Sequence, residues 1–371
     1  MANFSKASSN GASKQQDRVY LCFDLGGTAL KVGVITFSAS GEFSVEEIHN
    51  ESHHMFANGP ISTEDLQKLL TDHYNRLTLD GQRFDGIGVA TFGSVNPTTK
   101  RIQNYMDGTP TYKDWSWSDA FLDVGFEGPV DVLNDGQAAA LGVCREDGAP
   151  GTNVALVMGT GLGAGAAEVR GNQTTLIRGG TGNAGLFGNL LVSASFEGKL
   201  IANVRAGELL ATGGIRKHYS PDSDSPEEAL KQLVNDLGNS DERALAFYND
   251  VLVQGTAVLL TNLHQGFDPQ NVVFAGGITK ALPDLASDAL LAAMPLIGDQ
   301  AKVVKNGSAY TTCIGQIVTV SVSNKLNPNL LGMATAVHSM KLASTSRDSG
   351  VLAANAPRQT SSRTKQGLIP S

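Results

Sequence analysis

Apolar residues along the chain gather into short strand-like runs, and most runs close on glycine or on a small polar cluster. Val19-Tyr-Leu-Cys-Phe-Asp24 and Leu30-Lys-Val-Gly-Val-Ile-Thr36 predict two strands, and Gly26-Gly27 between them predicts a tight hairpin turn. Leu66, Leu69, Leu70, Tyr74 and Leu77 recur at helical spacing within Ile61–Leu79, with Thr63 as the helix start. Asp85–Thr91 predicts a further strand. Val130–Asn134 predicts another, which enters a helix over Gln137–Cys144. Val154–Met158 and Gly163–Val169 form a second hairpin around a glycine cluster. Residues 226–237 and 241–265 have helical spacing, Asn271–Ala275 reads as a buried strand, and Leu330–Met340 as a closing helix.

Hairpins followed by helices occur twice, which predicts an α/β chain of two similar lobes with a cleft between them. The expected divisions are an N-terminal lobe over 18–133 and a C-terminal lobe over 134–329. A closing helix at 330–343 is expected to pack back on the first lobe. Residues 1–17 and 344–371 are polar and Ser/Thr-rich and read as a disordered leader and tail.

Composition narrows the function. The 371 residues suffice for two domains, and the formal charge of −8 argues against a general nucleic-acid or acidic-membrane surface. No apolar run approaches the roughly 18 residues that span a bilayer. The N-terminus has no signal-peptide core. Cys22, Cys144 and Cys313 are too far apart for a CxxC pair, a zinc ribbon or a disulfide framework, so a reduced, cytoplasmic setting is expected. Cys22 sits in a strand pattern and reads as a small core hydrophobe.

The candidate chemistry lies where strands end. Gly26 and Gly27 expose backbone N–H groups at a hairpin turn, as phosphate binding requires, and Thr28 adds a hydroxyl. Asp24 can hold a water of Mg²⁺, and Lys31 can offset phosphate charge. The same residues read equally as a plain turn with a capping aspartate. Gly159-Thr160-Gly161 again suits backbone contact with a polyphosphate. Gly159-x-Gly161-x-x-Ala164 also resembles a dinucleotide fingerprint, but Ala166–Arg170 looks like a strand and no acidic residue occurs from Val169 to Phe196. Asp135, at a strand-to-helix step, can act as a base and Asn134 can bind a hydroxyl; each can also be an ordinary helix cap. Gly276-Gly277 leave room for a base or ribose, or mark a simple turn.

Asp107, Trp115 and Trp117 lie in a loop-like stretch; Trp115 can wall a sugar site, but such residues more often fill the surface of a core. His49, His53 and His54 lack a completing acid or cysteine and read as a solvated loop. No GxxxxGK[ST] or HExxH is present.

Taken in order, five segments resemble the ROK family of sugar kinases and related repressors, within the wider hexokinase–actin fold. They are Asp24-Leu-Gly-Gly-Thr28, Gly86-Ile-Gly-Val-Ala-Thr-Phe-Gly-Ser-Val-Asn96, Asn134-Asp-Gly-Gln-Ala-Ala-Ala-Leu-Gly142, Gly159-Thr-Gly161 and the stretch from Leu260 to Gly277. The resemblance covers roughly residues 18 to 340. It implies two ribonuclease-H-like (actin-like ATPase) lobes with a central cleft, ATP and Mg²⁺ as cofactors, and a small sugar as substrate. Asp135 would be the catalytic base. Asp24, Gly26, Gly27, Thr28 and Lys31 would meet the nucleotide from one side, and Gly159, Thr160, Gly161, Gly276 and Gly277 from the other. Gly93, Asn104, Asn134 and Asn189 would hold the sugar. No residue is implied as a direct metal ligand.

Gly180–Asn189 is similar to the family's glycine-rich signature, with departures. Leu186 stands where the family usually has a sugar-binding glutamate, and Asn189 where it has a histidine. No cysteine occurs over residues 190–210, so the family's zinc loop is absent and no zinc is expected. The family's later glutamate falls nearest Ala202. A sugar hydroxyl facing Leu186 would be left unpaired, at about 1–3 kcal/mol.

The leading expectation is therefore a carbohydrate kinase, and the alternative is a catalytically inactive sugar- or nucleotide-binding sensor on the same fold. A DNA-binding repressor is disfavoured, because residues 1–17 are too few for a winged helix. Neither a nucleic acid nor a membrane is expected as partner, and a homodimer is left open.

Overall fold

A computed structural model describes residues 16–26, 29–40, 42–52, 62–104, 115–147, 150–171, 173–180, 182–297, 301–306, 309–314, 316–322 and 328–340. Gly27, Thr28, His53, His54 and Asp107 lie outside these, as do nearly all of the expected leader and the whole expected tail.

Strands β1 (Arg18–Leu25), β2 (Ala29–Phe37) and β3 (Phe43–Ser52) form an antiparallel meander. The helix α1 (Thr63–Leu79) follows, with Ser62 rather than Thr63 as its cap: the Ser62 hydroxyl accepts from the Asp65 amide. β4 (Gly86–Thr91) then runs parallel to β1. A small hairpin of β5 (Ser94–Val95) and β6 (Ile102–Asn104), then α2 (Trp117–Leu122), lead to β7 (Val130–Asn134), which runs parallel to β4. The first sheet has the order β3-β2-β1-β4-β7. β1 is apolar from Val19 to Phe23 because both of its faces are covered there. Leu21, Phe23 and Leu25 pack with α1 residues Leu66 and Leu70 and with Trp117, while Tyr20 and Cys22 face the other layer.

The chain then repeats itself. After α3 (Asp135–Asp147) comes a second meander of β8 (Gly151–Met158), β9 (Leu162–Arg170) and β10 (Gln173–Leu176). A hairpin of β11 (Leu191–Phe196) and β12 (Lys199–Arg205) comes next. The helices α4 (Ala206–Leu209), α5 (Thr212–His218), α6 (Pro226–Gly238), α7 (Glu242–Phe247) and α8 (Gln254–Phe267) follow, with a π-helical turn at Tyr248–Val253 joining the last two. β13 (Asn271–Ala275) runs parallel to β8; after α9 (Gly277–Ala281) and α10 (Leu285–Ile297), β14 (Ala301–Asn306), β15 (Ala309–Ile314) and β16 (Gln316–Val322) complete the sheet. Its order is β10-β9-β8-β13-β16-β15-β14, and β16 is parallel to β13. Each sheet is thus a three-stranded antiparallel meander extended by two parallel strands, with β14 and β15 added to the second.

Helices cross between the two sheets. α3 leaves the first sheet and packs on β8 and β9 of the second. The helix α11 (328–340) follows the second sheet and lies on the first. There a Cβ added to Gly33 or Gly88 would stand only 2.9 Å from Leu330 or 2.7 Å from Met333. α3 and α11 also meet each other. A Cβ on Gly142 would overlap the Pro328 carbonyl, and one on Gly332 the Ala138 carbonyl.

One expectation from the sequence fails here. α7, the π-helical turn and α8 run on without a break over Glu242–Phe267, a 26-residue stretch long and apolar enough to cross a bilayer. Helix was expected over 241–265, but Asn249, Asp250 and Gln254 interrupt its apolar residues, so the sequence shows no continuous apolar run there. Phe247, Leu252, Leu259 and Leu263 bury its apolar face in the core beside the second sheet.

The β11–β12 hairpin is braced by Arg243 on α7. Its guanidinium lies 5.3 Å from the Phe196 ring centre and 4.8 Å from that of Tyr219. Nε bonds Glu197 at 2.6 Å and Nη1 donates to the Tyr219 carbonyl at 2.8 Å. A lysine cannot reproduce this planar fork. We expect Arg243→Ala and Arg243→Lys each to lower stability by about 1–2 kcal/mol in urea denaturation. A change indistinguishable from zero in both would show that the brace carries no energy.

Candidate functional site

The site forms where β1, β7 and the β8–β9 turn converge. Asp24 lies near the end of β1, opposite Lys31 on β2 and Ala90 on β4. Its carboxylate is buried. Oδ2 meets Lys31 Nζ at 3.2 Å, and Oδ1 accepts from Asn329 Nδ2 of α11 at 2.8 Å. Gly26 follows, half-buried.

β7 delivers Asn134 and Asp135. The Asn134 side chain does two jobs within the fold. Its Oδ1 accepts from the Gly136 amide at 2.9 Å, capping α3, and its Nδ2 donates to the Gly93 carbonyl at 2.9 Å. The helix therefore starts at Asp135, two residues before the position that hydrophobic spacing suggests. That start fixes the Asp135 carboxyl, whose Oδ1 also accepts from the Gly136 amide at 2.7 Å.

Glycines hold α3 against β9. A Cβ on Gly136 would overlap the Ala164 backbone, and one on Gly165 the Gly136 carbonyl. A Cβ on Gly163 would lie 3.2–3.3 Å from the Asp135 carboxyl atoms. The carboxyl thus rests directly over the β8–β9 hairpin. Desolvation pushes it up from its ordinary 3.8 to about 6. The Asp24 carboxylate pushes in the same direction, against the pull of the Gly136 amide and the Asn134 side chain. Two acidic side chains from the same sheet, Asp24 on β1 and Asp135 at the exit of β7, therefore share one site. A carboxyl held near 6 is a stronger proton acceptor than a free aspartate and is still ionised at neutral pH.

The hairpin turn itself is open. The Gly159 amide donates to the Gly161 carbonyl at 2.9 Å, and the Thr212 amide of α5 donates to the Gly159 carbonyl at 2.9 Å. Thr160 and Gly161 are exposed. A Cβ on Gly159, Gly161 or Gly277 would meet nothing within 4 Å. Gly276 differs: its φ is +102°, and its backbone packs against Met158 at the base of the same turn. The site thus contains glycines that permit packing and glycines that leave clear space.

For the sugar-side residues, Gly93 has φ +80° and its carbonyl holds Asn134. Asn104 pairs with Ser94 in the β5–β6 hairpin; its side chain lies outside the described residues. Asn189 is exposed at the end of the 3-10 turn Phe187–Asn189. A Cβ on the preceding Gly188 would overlap the Leu162 carbonyl, so this turn sits at the start of β9, beside Gly163. Trp117 is buried in the first core and packs on Trp115, ring centres 4.6 Å apart and planes tilted, so this pair fills the core. His49 packs on His73 of α1 at 4.4 Å.

The ROK family model matches residues 20–302. The chain belongs to the ROK family. Among ROK-type relatives, the β-glucoside kinase of Listeria monocytogenes is 27% identical over 282 residues, covering 69% of this chain and 82% of that protein. Among solved structures, a ROK protein from Streptococcus pneumoniae TIGR4 in complex with sucrose aligns with TM-score 0.63 at 19% identity, covering 88% of this chain and 99% of that one. The ROK hexokinase of Thermus thermophilus aligns with TM-score 0.62 at 20% identity, covering 86% and 97%. These structures share the two-lobed actin-like ATPase fold.

Two residues that sequence reasoning did not single out touch this acidic pair. Asn329 reaches Asp24 from a segment that carries no motif. Gly163 abuts Asp135, and it was legible only as one glycine of a cluster. Glu208, on α4, is exposed and stands 3.8 Å from Arg205. Ala202, the expected counterpart of the family's later glutamate, is exposed on β12. α4, which carries Glu208, packs on the Phe187–Asn189 turn and on β9, and a Cβ on Gly207 would lie 3.3 Å from the Gly188 carbonyl. Glu208 is the single charge in the stretch Ala206–Gly214.

Proposed function

We propose that the protein is an ATP-dependent sugar kinase. The observation that carries this reading is the placement of Asp135, at the first turn of α3, over Gly163 and within electrostatic reach of Asp24. Phosphoryl transfer asks little covalent chemistry of a protein; it needs positioning, charge and a base near the attacking hydroxyl. The clear space over Gly159, Gly161 and Gly277 fits a nucleotide whose phosphates take backbone N–H groups. The donor set near Asp24 fits a hydrated Mg²⁺: a carboxylate already braced by Lys31 and Asn329 can accept from a water that the ion keeps. Mg²⁺, when bound, offsets charge on the transferred group.

Asp135 takes the proton of the sugar hydroxyl as its oxygen bonds to the terminal phosphorus, and ADP leaves. Beyond the amide hydrogen given to Gly93, Asn134 has a second, which it can share between Asp135 and a neighbouring hydroxyl. Asn189 and Glu208 offer further polar contacts where Leu186 offers none. The relatives named above act on β-glucosides or hold sucrose, so glucose and glucosides are the first acceptors to try.

The test uses the difference between the two kinds of glycine. Gly161→Ala meets no atom and needs no positive φ, so its melting temperature should stay within roughly 2 °C of the unsubstituted protein. Its KM for ATP should rise about tenfold, read as ADP release with a panel of glucose, cellobiose, hexosamines and polyols. An unchanged KM would remove this turn from the nucleotide site. Thermal stabilisation by a sugar without ADP release would favour the sensor reading.

A further inference from the structure

Asp131 lies on β7, three residues before Asn134, and is buried. Its carboxylate holds cations from both halves of the molecule. Oδ1 meets Lys100 Nζ at 2.6 Å and accepts from the Val132 amide at 2.9 Å, while Oδ2 stands 3.8 Å from Arg178 Nη2. Lys100 comes from the turn between β5 and β6. That turn is tied by Asn96, whose Oδ1 accepts from the Thr98 and Thr99 amides at 2.8 and 2.9 Å. Lys100 itself has φ +59°, a conformation that a non-glycine residue adopts only when its surroundings fix it.

Arg178 follows β10 and begins the segment that ends at Asn189. Two further contacts dock that segment, one on α3 and one on the β5–β6 hairpin. Gln137 Nε2 donates to the Gly182 carbonyl at 2.9 Å. A Cβ on Gly182 would overlap the Val95 carbonyl and lie 3.2 Å from Pro97.

We propose that Asp131 and Arg178 are positioning residues for sugar selection, a clip that locks the segment leading to Asn189 onto the β5–β6 hairpin. Gly93, Asn104 and Asn189 are carried by the two elements that this clip joins. A buried carboxylate shared by two cations has few other stable arrangements, so it fixes one register between them. The proposal rests on the sugar-kinase reading for its consequence, though the clip itself does not.

The decisive variant is Arg178→Met, which leaves the Asp131–Lys100 pair intact and so does not strand the buried carboxylate. Amide hydrogen exchange over residues 182–189 should accelerate about tenfold or more, with α8 amides unchanged within twofold, and Arg178→Lys should restore most of the protection. In steady-state assays with glucose and cellobiose as acceptors, Arg178→Met should raise the sugar KM about tenfold and leave the KM for ATP and kcat within twofold. Unchanged exchange over 182–189 overturns the proposal. So does accelerated exchange with an unaltered sugar KM. If neither sugar turns over in the unsubstituted protein, the kinase reading is what fails, and the exchange result alone decides the clip.

Discussion

Asp135→Asn should reduce kcat by about a thousandfold or more while making the protein harder to unfold at pH 8. Asparagine is nearly isosteric, and its oxygen can keep the bond from the Gly136 amide. The loss would therefore report the missing proton acceptor, a role worth roughly 10²–10⁴ in rate. The stability gain follows from the carboxyl's raised affinity for its proton. Below the ordinary value of 3.8, folded and unfolded chains both hold that proton. As pH rises towards about 6, the unfolded chain gives it up first, and above about 6 the folded state bears the full cost of a desolvated charge. Asp135 is half-buried, so about 2 kcal/mol at pH 8 is a discounted figure. The gain of Asp135→Asn should vanish below pH about 4. The unsubstituted enzyme should reach half of its maximal kcat/KM near pH 6, on a limb that rises with pH. Urea denaturation and initial rates across pH 4–9 measure both. A variant that keeps full turnover, or a flat pH–rate profile, would take Asp135 out of the reaction.

Much of the strand framework could be read in the sequence, because burial on both faces leaves an uninterrupted apolar run. β1, β4, β8 and β13 are of this kind, and glycine or an acidic residue marks the exit of each. The same logic made the Asp24, Asp135 and Gly159–Gly161 segments visible before any coordinates. What stayed hidden has specific causes. The β11–β12 hairpin is exposed along most of β12, so it shows no apolar alternation. α4 and α5 are short and carry no side-chain cap. The start of α3 was misplaced because side-chain capping by Asn134, and no hydrophobic period, sets it. Asn329 meets Asp24 through a contact distant in sequence, which a single strand or helix pattern cannot show.

Gly332→Ala should be among the most destabilising single-methyl changes available to this chain. Glycine inside a helix costs about 1 kcal/mol relative to alanine, so on local propensity the change ought to help. Its surroundings reverse the sign. A Cβ at 332 would overlap the carbonyl of Ala138 and lie 2.5 Å from its carbonyl carbon. Both atoms belong to the backbone of α3, which cannot yield as a flexible side chain would. On its other face α11 is pinned by Leu330 against Gly33 and by Met333 against Gly88, so it cannot retreat from α3 without unpacking the first sheet. The strain must then open the crossing that joins the two sheets and carries Asn329 to Asp24. We expect a loss of about 3 kcal/mol or more, or roughly 10 °C in melting temperature. Nucleotide affinity should fall as well, since Asp24 loses its partner from α11, whereas Gly161→Ala lowers that affinity with stability preserved. A Gly332→Ala protein that melts with the unsubstituted one would mean that α3 and α11 are not in contact at this crossing. The two sheets would then have to be joined there by something else.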